Sequence, residues 1–122
     1  MKYKLICPLF QIKVLLVSGD KKQLEKFVDD FGDNEHDAEC HTIYDKASKI
    51  DGFLVWIKDP MDYNGIVHET MHLIKRIFEC MGIPFNLEND EIMAYYQNYW
   101  VRKFWHKINL KEVKIWPNQL LQ

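Results

Sequence analysis

Residues 53–57 read Phe-Leu-Val-Trp-Ile, five large apolar side chains in succession. In a β-strand successive side chains point to opposite faces, so this stretch offers water no polar side. Such a strand sits inside a sheet covered on both faces, which demands helices or further layers around it. The helices expected at the C-terminal end of the 122-residue chain have to supply that cover. Its 48% apolar and 28% charged composition is ordinary for a globular domain, and its length is that of one domain with one main core.

The sequence around this strand reads as an α+β chain. "LFQIKVLLVS", 9–18, is rich in β-branched and aliphatic residues and stops at Gly19, as a buried strand does. Asp20 then caps "KKQLEKFVDDF", where Leu24, Phe27, Val28 and Phe31 form a helical stripe ending at Gly32. "CHTIYDKA", 40–47, and "GFLVWIK", 52–58, read as two strands around the turn sequence "SKIDG". Asp59-Pro60 is an N-cap followed by proline in the first helical position, with Asp62 favouring the dipole. The helix it opens runs to about residue 81, with Gly82 as its stop and Pro84 beyond. A further helix is expected over 88–107, and 108–122 form a tail. The expected organisation is a single domain: a β-α-β-β sheet within 1–59, then two helices segregated at the C-terminal end.

The first of these helices contains "GIVHETMHLIKR", residues 65–76. At about 100° per residue, His68 and His72 lie roughly 40° apart and one turn above each other. Ile66, Val67, Met71, Leu73, Ile74, Ile77, Phe78 and Met81 fill the opposite arc, which should face the sheet. The histidines share theirs with Lys75 and Glu79, with Glu69 and Arg76 at its edge. Two imidazoles at i and i+4 can reach one tetrahedral ion. A carboxylate directly after the first is turned aside, where it can act as general base, the mechanical content of H-E-x-x-H on a helix. The same residues also fit a plain solvated helix face, so a third ligand decides between the two.

Eighteen residues separate His72 from Glu91, and Glu91 opens the run Glu91-Ile92-Met93-Ala94-Tyr95-Tyr96. HExxH-x18-E is the ligand spacing of the aminopeptidase N-like gluzincins, and the run resembles their "E-G-F-A-x-Y", keeping the alanine and the final tyrosine. The chain also resembles small phage-encoded zincin-like proteins, which pair a V-H-E-x-x-H helix with a "DE-x-x-A-Y" helix. The likeness spans about residues 66–105 and implies a small zincin-like domain. It makes His68, His72 and Glu91 zinc ligands and Glu69 the base, with an edge strand, "FLVWIK" or "HTIYDKA", able to hold an extended peptide. Two departures stand against an aminopeptidase: Ile92 replaces the glycine after the third glutamate, and no G-x-M-E-N element occurs. Asp90 is an alternative ligand to Glu91. Tyr95, one turn beyond Glu91, is a candidate oxyanion donor or an aromatic wedge between helices, and His106 is a further possible donor.

The expected function is therefore zinc-dependent hydrolysis, most simply of peptides. The alternative is a non-catalytic, zinc-stabilised protein that binds a host or virion partner. No apolar run approaches the length needed to span a bilayer. Lys4, Pro8, Gln11 and Lys13 break up any signal-peptide core at the start. Cys7, Cys40 and Cys80, with no CxxC pair, suit free thiols in a reducing cytoplasm. Residues 20–51 carry ten acids against five lysines, and residues 101–114 carry five Lys and Arg against one acid. These read as two solvated faces rather than a nucleic-acid surface, because helical spacing turns Trp100 and Phe104 of "WVRKFWHK" inward. Cys40 and His41 point to opposite faces of their strand and cannot share a metal.

Overall fold

The computed structural model describes residues 1–7, 10–28 and 36–109. Four strands form one mixed sheet: β1 (Lys2–Ile6), β2 (Lys13–Ser18), β3 (Ala38–Tyr44) and β4 (Ile50–Ile57), in the order β1-β2-β4-β3. β1 pairs antiparallel with β2, β2 parallel with β4, and β4 antiparallel with β3. The helices are α1 (Lys21–Glu25), α2 (Tyr63–Met81) and α3 (Asp90–Asn109), the last preceded by a 3-10 turn over Leu87–Asn89. This is a small α+β fold, as expected.

The unbroken apolar strand lies where its composition requires. β4 is central, and Phe53 to Ile57 are all buried. Phe53, Val55 and Ile57 join the main core with Ile66, Leu73, Ile74, Ile77 and Phe78 of α2 and Tyr96, Trp100 and Phe104 of α3. Leu54 and Trp56 point to the other face, where they pack with Val17 and with Leu24 of α1. Both faces are thus covered, but α1 covers the second one, so the C-terminal helices do not cover the sheet alone. The Tyr96–Trp100–Phe104 stripe on α3 is core, as its spacing predicts.

Several boundaries differ from expectation for local reasons. The first strand, β1, was not predicted: its lysines alternate with Tyr3 and Leu5, and it pairs antiparallel with β2, the Cys7 backbone N–H donating to the Ile12 carbonyl. The sheet is consequently β-β-α-β-β, and β2 begins at Lys13 rather than at residue 9. α1 ends at Glu25, followed by a turn through Phe27; the expected continuation over 29–31 lies outside the described residues, as does the tail from 110 onward. The β3–β4 turn falls earlier than "SKIDG", because Asp45 Oδ1 accepts from the backbone N–H groups of Ala47 and Lys49. At α2 the cap is Asp62, whose carboxylate accepts from Gly65 N–H, whereas Asp59 closes the preceding turn on Met61 N–H. Gly82 ends the helix in the left-handed conformation at φ 72°, which costs glycine little.

Candidate functional site

The register of α2 against the sheet builds the site. Its buried residues are Ile66, Glu69, Thr70, Leu73, Ile74, Ile77 and Phe78, so the inward arc reaches as far as Glu69 on one side. That edge abuts β3. Arg76, two turns beyond Glu69, donates from Nη1 to Thr42 Oγ1 of β3 at 2.7 Å. Cys40, two residues before Thr42, faces the same way and packs against the main core. Its neighbour His41 points to the other face, as alternation predicts, and pairs with Glu39 at 2.8 Å.

His68 and His72 converge. Their Nε2 atoms stand 3.1 Å apart with the rings edge to face. At that distance the two rings share a hydrogen bond, and the separation is close to the roughly 3.3–3.4 Å between nitrogens bound to one tetrahedral zinc at about 2.0–2.1 Å. Glu69 Oε2 is 4.0 Å from His68 Nε2. The Glu69 side chain is only 10% exposed, against 69% for His68. Glu69 is therefore not on the water-facing arc: it lies at the edge of the buried face, with one carboxylate oxygen near His68.

The electrostatics follow from that placement. Burial pushes the Glu69 carboxyl above its ordinary value and Glu39 adds to the rise, whereas His68, His36 and Arg76 oppose it. His72 is shifted down, first by partial burial and then by His68, Arg76 and Lys75. The Cys40 thiol is pushed up to about 12 by burial, with Arg76 opposing and Glu69 reinforcing the rise. A cysteine so placed is not a nucleophile at neutral pH.

Glu91 does not join the pair in this structure. Among the described residues, no group of three or more His, Cys, Asp and Glu side chains is arranged to hold a metal ion. The cause is the docking of α3. Phe78 stacks on Tyr96, Tyr63 meets Trp105 edge-on, and Asn109 Nδ2 donates to Pro60 O at 2.7 Å. The helices are thus antiparallel, and Glu91, five residues before Tyr96, lies beyond the level of Phe78, toward the C-terminal end of α2 and away from His72. Tyr63 and Phe78, which meet α3, also lie well round the wheel from the histidines, which border β3 instead. Asp90, beside Glu91 in the first turn of α3, is likewise in no such metal-holding group.

Tyr95 is 72% exposed, so it is not an aromatic wedge between helices. His106 is exposed near the far end of α3, and His36 is exposed before β3. Sequence reasoning placed Arg76 only at the edge of the polar arc and did not single out Thr42. The spacing of Arg76, four residues after His72 and seven after Glu69, is the signal that marks it as part of the same face. Nothing in the sequence pairs it with Thr42.

Comparison with known proteins places no relative beside this geometry: no family model, no curated protein and no solved structure matches the chain.

Proposed function

We propose that this chain is a small zincin-like metal-dependent hydrolase, most simply a peptidase, in which His68 and His72 hold a zinc ion and Glu69 is the general base. One observation carries this reading: two imidazole nitrogens stand 3.1 Å apart on α2, with a largely buried carboxylate oxygen 4.0 Å from one of them. A bound zinc ion supplies Lewis acidity, lowering the pKa of water and polarising a carbonyl. Glu69, whose proton affinity burial raises above the ordinary carboxylate value, takes a proton from the attacking water and passes it to the leaving amine. β3 pairs only with β4 among the described strands, so its outer backbone groups are available to align an extended peptide beside Glu69. Of the two candidate edges, "HTIYDKA" is the one at the edge, and "FLVWIK" is central. Glu91 belongs to this proposal by its sequence spacing and not by its position on α3.

The test is Glu69→Gln, assayed on a mixed peptide substrate with zinc content measured in parallel. Zinc content is expected to persist while hydrolysis disappears; equal turnover by variant and parent refutes the mechanism.

A second reading, a non-catalytic zinc-holding protein that grips a partner, is favoured by the exposure of the pair. His68 and His72 present two donors on an open surface, which a partner's side chain could complete. A stoichiometric complex formed equally well by Glu69→Gln and the parent, with no turnover by either, selects this reading.

A further inference from the structure

Arg76 is half-buried, and one of its five N–H donors is used, by Thr42. Among the described residues no carboxylate lies within ion-pair distance of its guanidinium. Glu79, one turn on, is exposed and does not pair with it, and Glu69 lies beyond ion-pair reach. None of its remaining N–H donors is both buried and unpartnered, so the side of the fork away from Thr42 is open to an incoming anion, whose carboxylate or phosphate geometry a guanidinium matches. The position is specific. The Thr42 hydroxyl fixes the fork on the wall of β3, beside Cys40 and between the edge strand and His72. Along β3, Thr42 is two residues, about 6–7 Å, from Cys40, which neighbours Glu69. A peptide lying along this edge with its reacting bond at Glu69 brings a group two or three residues away to Arg76.

We infer that Arg76, held by Thr42, is the specificity determinant of this site and binds a carboxylate of the peptide substrate. The inference rests on the hydrolase reading for its substrate class. The planar fork matches a carboxylate with two parallel hydrogen bonds, which an ammonium cannot reproduce. That carboxylate is supplied either by the substrate's C-terminus or by an acidic side chain near the bond, and one experiment separates the two.

Equilibrium binding to the zinc-loaded Glu69→Gln protein is measured by fluorescence anisotropy with three probes carrying an uncharged fluorophore at the N-terminus: tetraalanine with a free carboxylate, its carboxamide, and the carboxamide ending in glutamate. Arg76 is expected to favour at least one carboxylate probe over the neutral carboxamide by about tenfold. The free-carboxylate probe identifies a C-terminal anchor, and the glutamate probe identifies a side-chain anchor. Arg76→Gln should erase the preference and leave the neutral probe unchanged, while Arg76→Lys keeps only part of it. Thr42→Val, which releases the guanidinium without removing it, should weaken the preference and carries the test if Arg76→Gln does not fold. Equal binding of all three probes by the parent, or an undiminished preference in Arg76→Gln or Thr42→Val, overturns the inference. Because binding is the readout, turnover by Glu69→Gln equal to the parent would remove the hydrolase reading without deciding the carboxylate preference.

Discussion

Glu69 and His68 are consecutive on α2, yet one side chain is 10% exposed and the other 69%, and their tips stand 4.0 Å apart. The helix separates them by about 100°, enough to set one under β3 and the other in water. The carboxylate therefore sits on the boundary between the core and the paired imidazoles, where desolvation raises its proton affinity while access to the histidines is kept.

This boundary position makes stability depend on pH with a definite sign. The Glu69 carboxyl titrates above its ordinary 4.5 in the folded chain, so the native state holds the proton more firmly than the unfolded one. Its contribution is fully present below the unfolded value and is lost as pH rises through the folded value. His72 acts oppositely: its folded value lies below 6.5, so its contribution is present above the unfolded value and is lost as pH falls. Urea unfolding of parent and Glu69→Gln at pH 4.5 and pH 8 isolates the glutamate. The parent should lose stability relative to the variant on going to pH 8.

Zinc content separates spacing from structure. His72→Ala removes one of two converging donors and should reduce bound zinc from about one per chain to near none, measured by elemental analysis of untagged protein. Glu91→Ala should leave it unchanged, because Glu91 is not grouped with the paired imidazoles. Loss of zinc in Glu91→Ala would show that α3 changes its docking when the ion binds.

The three thiols should react unequally. Cys80 is exposed, Cys7 is buried, and burial pushes the Cys40 thiol up to about 12. A chromogenic disulfide reagent at pH 8 should titrate one thiol rapidly in native protein and three in urea. Cys80→Ser should abolish the rapid phase. The Cys40 shift also predicts that stability falls as pH rises from 9 toward 12.

Gly52 is needed for strand approach rather than for a turn. A Cβ there would lie 2.6 Å from the backbone oxygen of Lys13 on β2. Gly52→Ala should destabilise the fold by about 1–3 kcal/mol in urea unfolding, since backbone on the adjacent strand has to move. Asp62→Ala, which removes the accepting side chain at the start of α2, should cost about 1 kcal/mol and fray the helix that carries the histidines.

The local parts of this protein are legible in its sequence. Period-two and period-3.6 patterns identified β2, β3, β4, α2 and α3 because side-chain direction follows from the residue's own backbone. The meeting of His68 with His72 was equally legible, since one helical turn separates them whatever surrounds the helix. β1 escaped because two lysines interrupt a strand whose apolar residues alternate, a pattern visible in Tyr3 and Leu5. The cap fell to Asp62 instead of Asp59 because two nearby aspartates offer the same signal, and the choice lies in which backbone N–H each one reaches.

Tertiary packing decided the rest. Whether Glu69 faces water or the sheet depends on which strand docks against its edge of the helix, and β3 arrives from about thirty residues away. The distance of Glu91 from the histidines depends on how far α2 continues past His72 and where Phe78 seats Tyr96, neither of which a ligand spacing encodes. Helical periodicity acts within a turn or two and so belongs to the sequence; the meeting of separate elements is set by core packing among residues far apart in the chain, and so belongs to the fold.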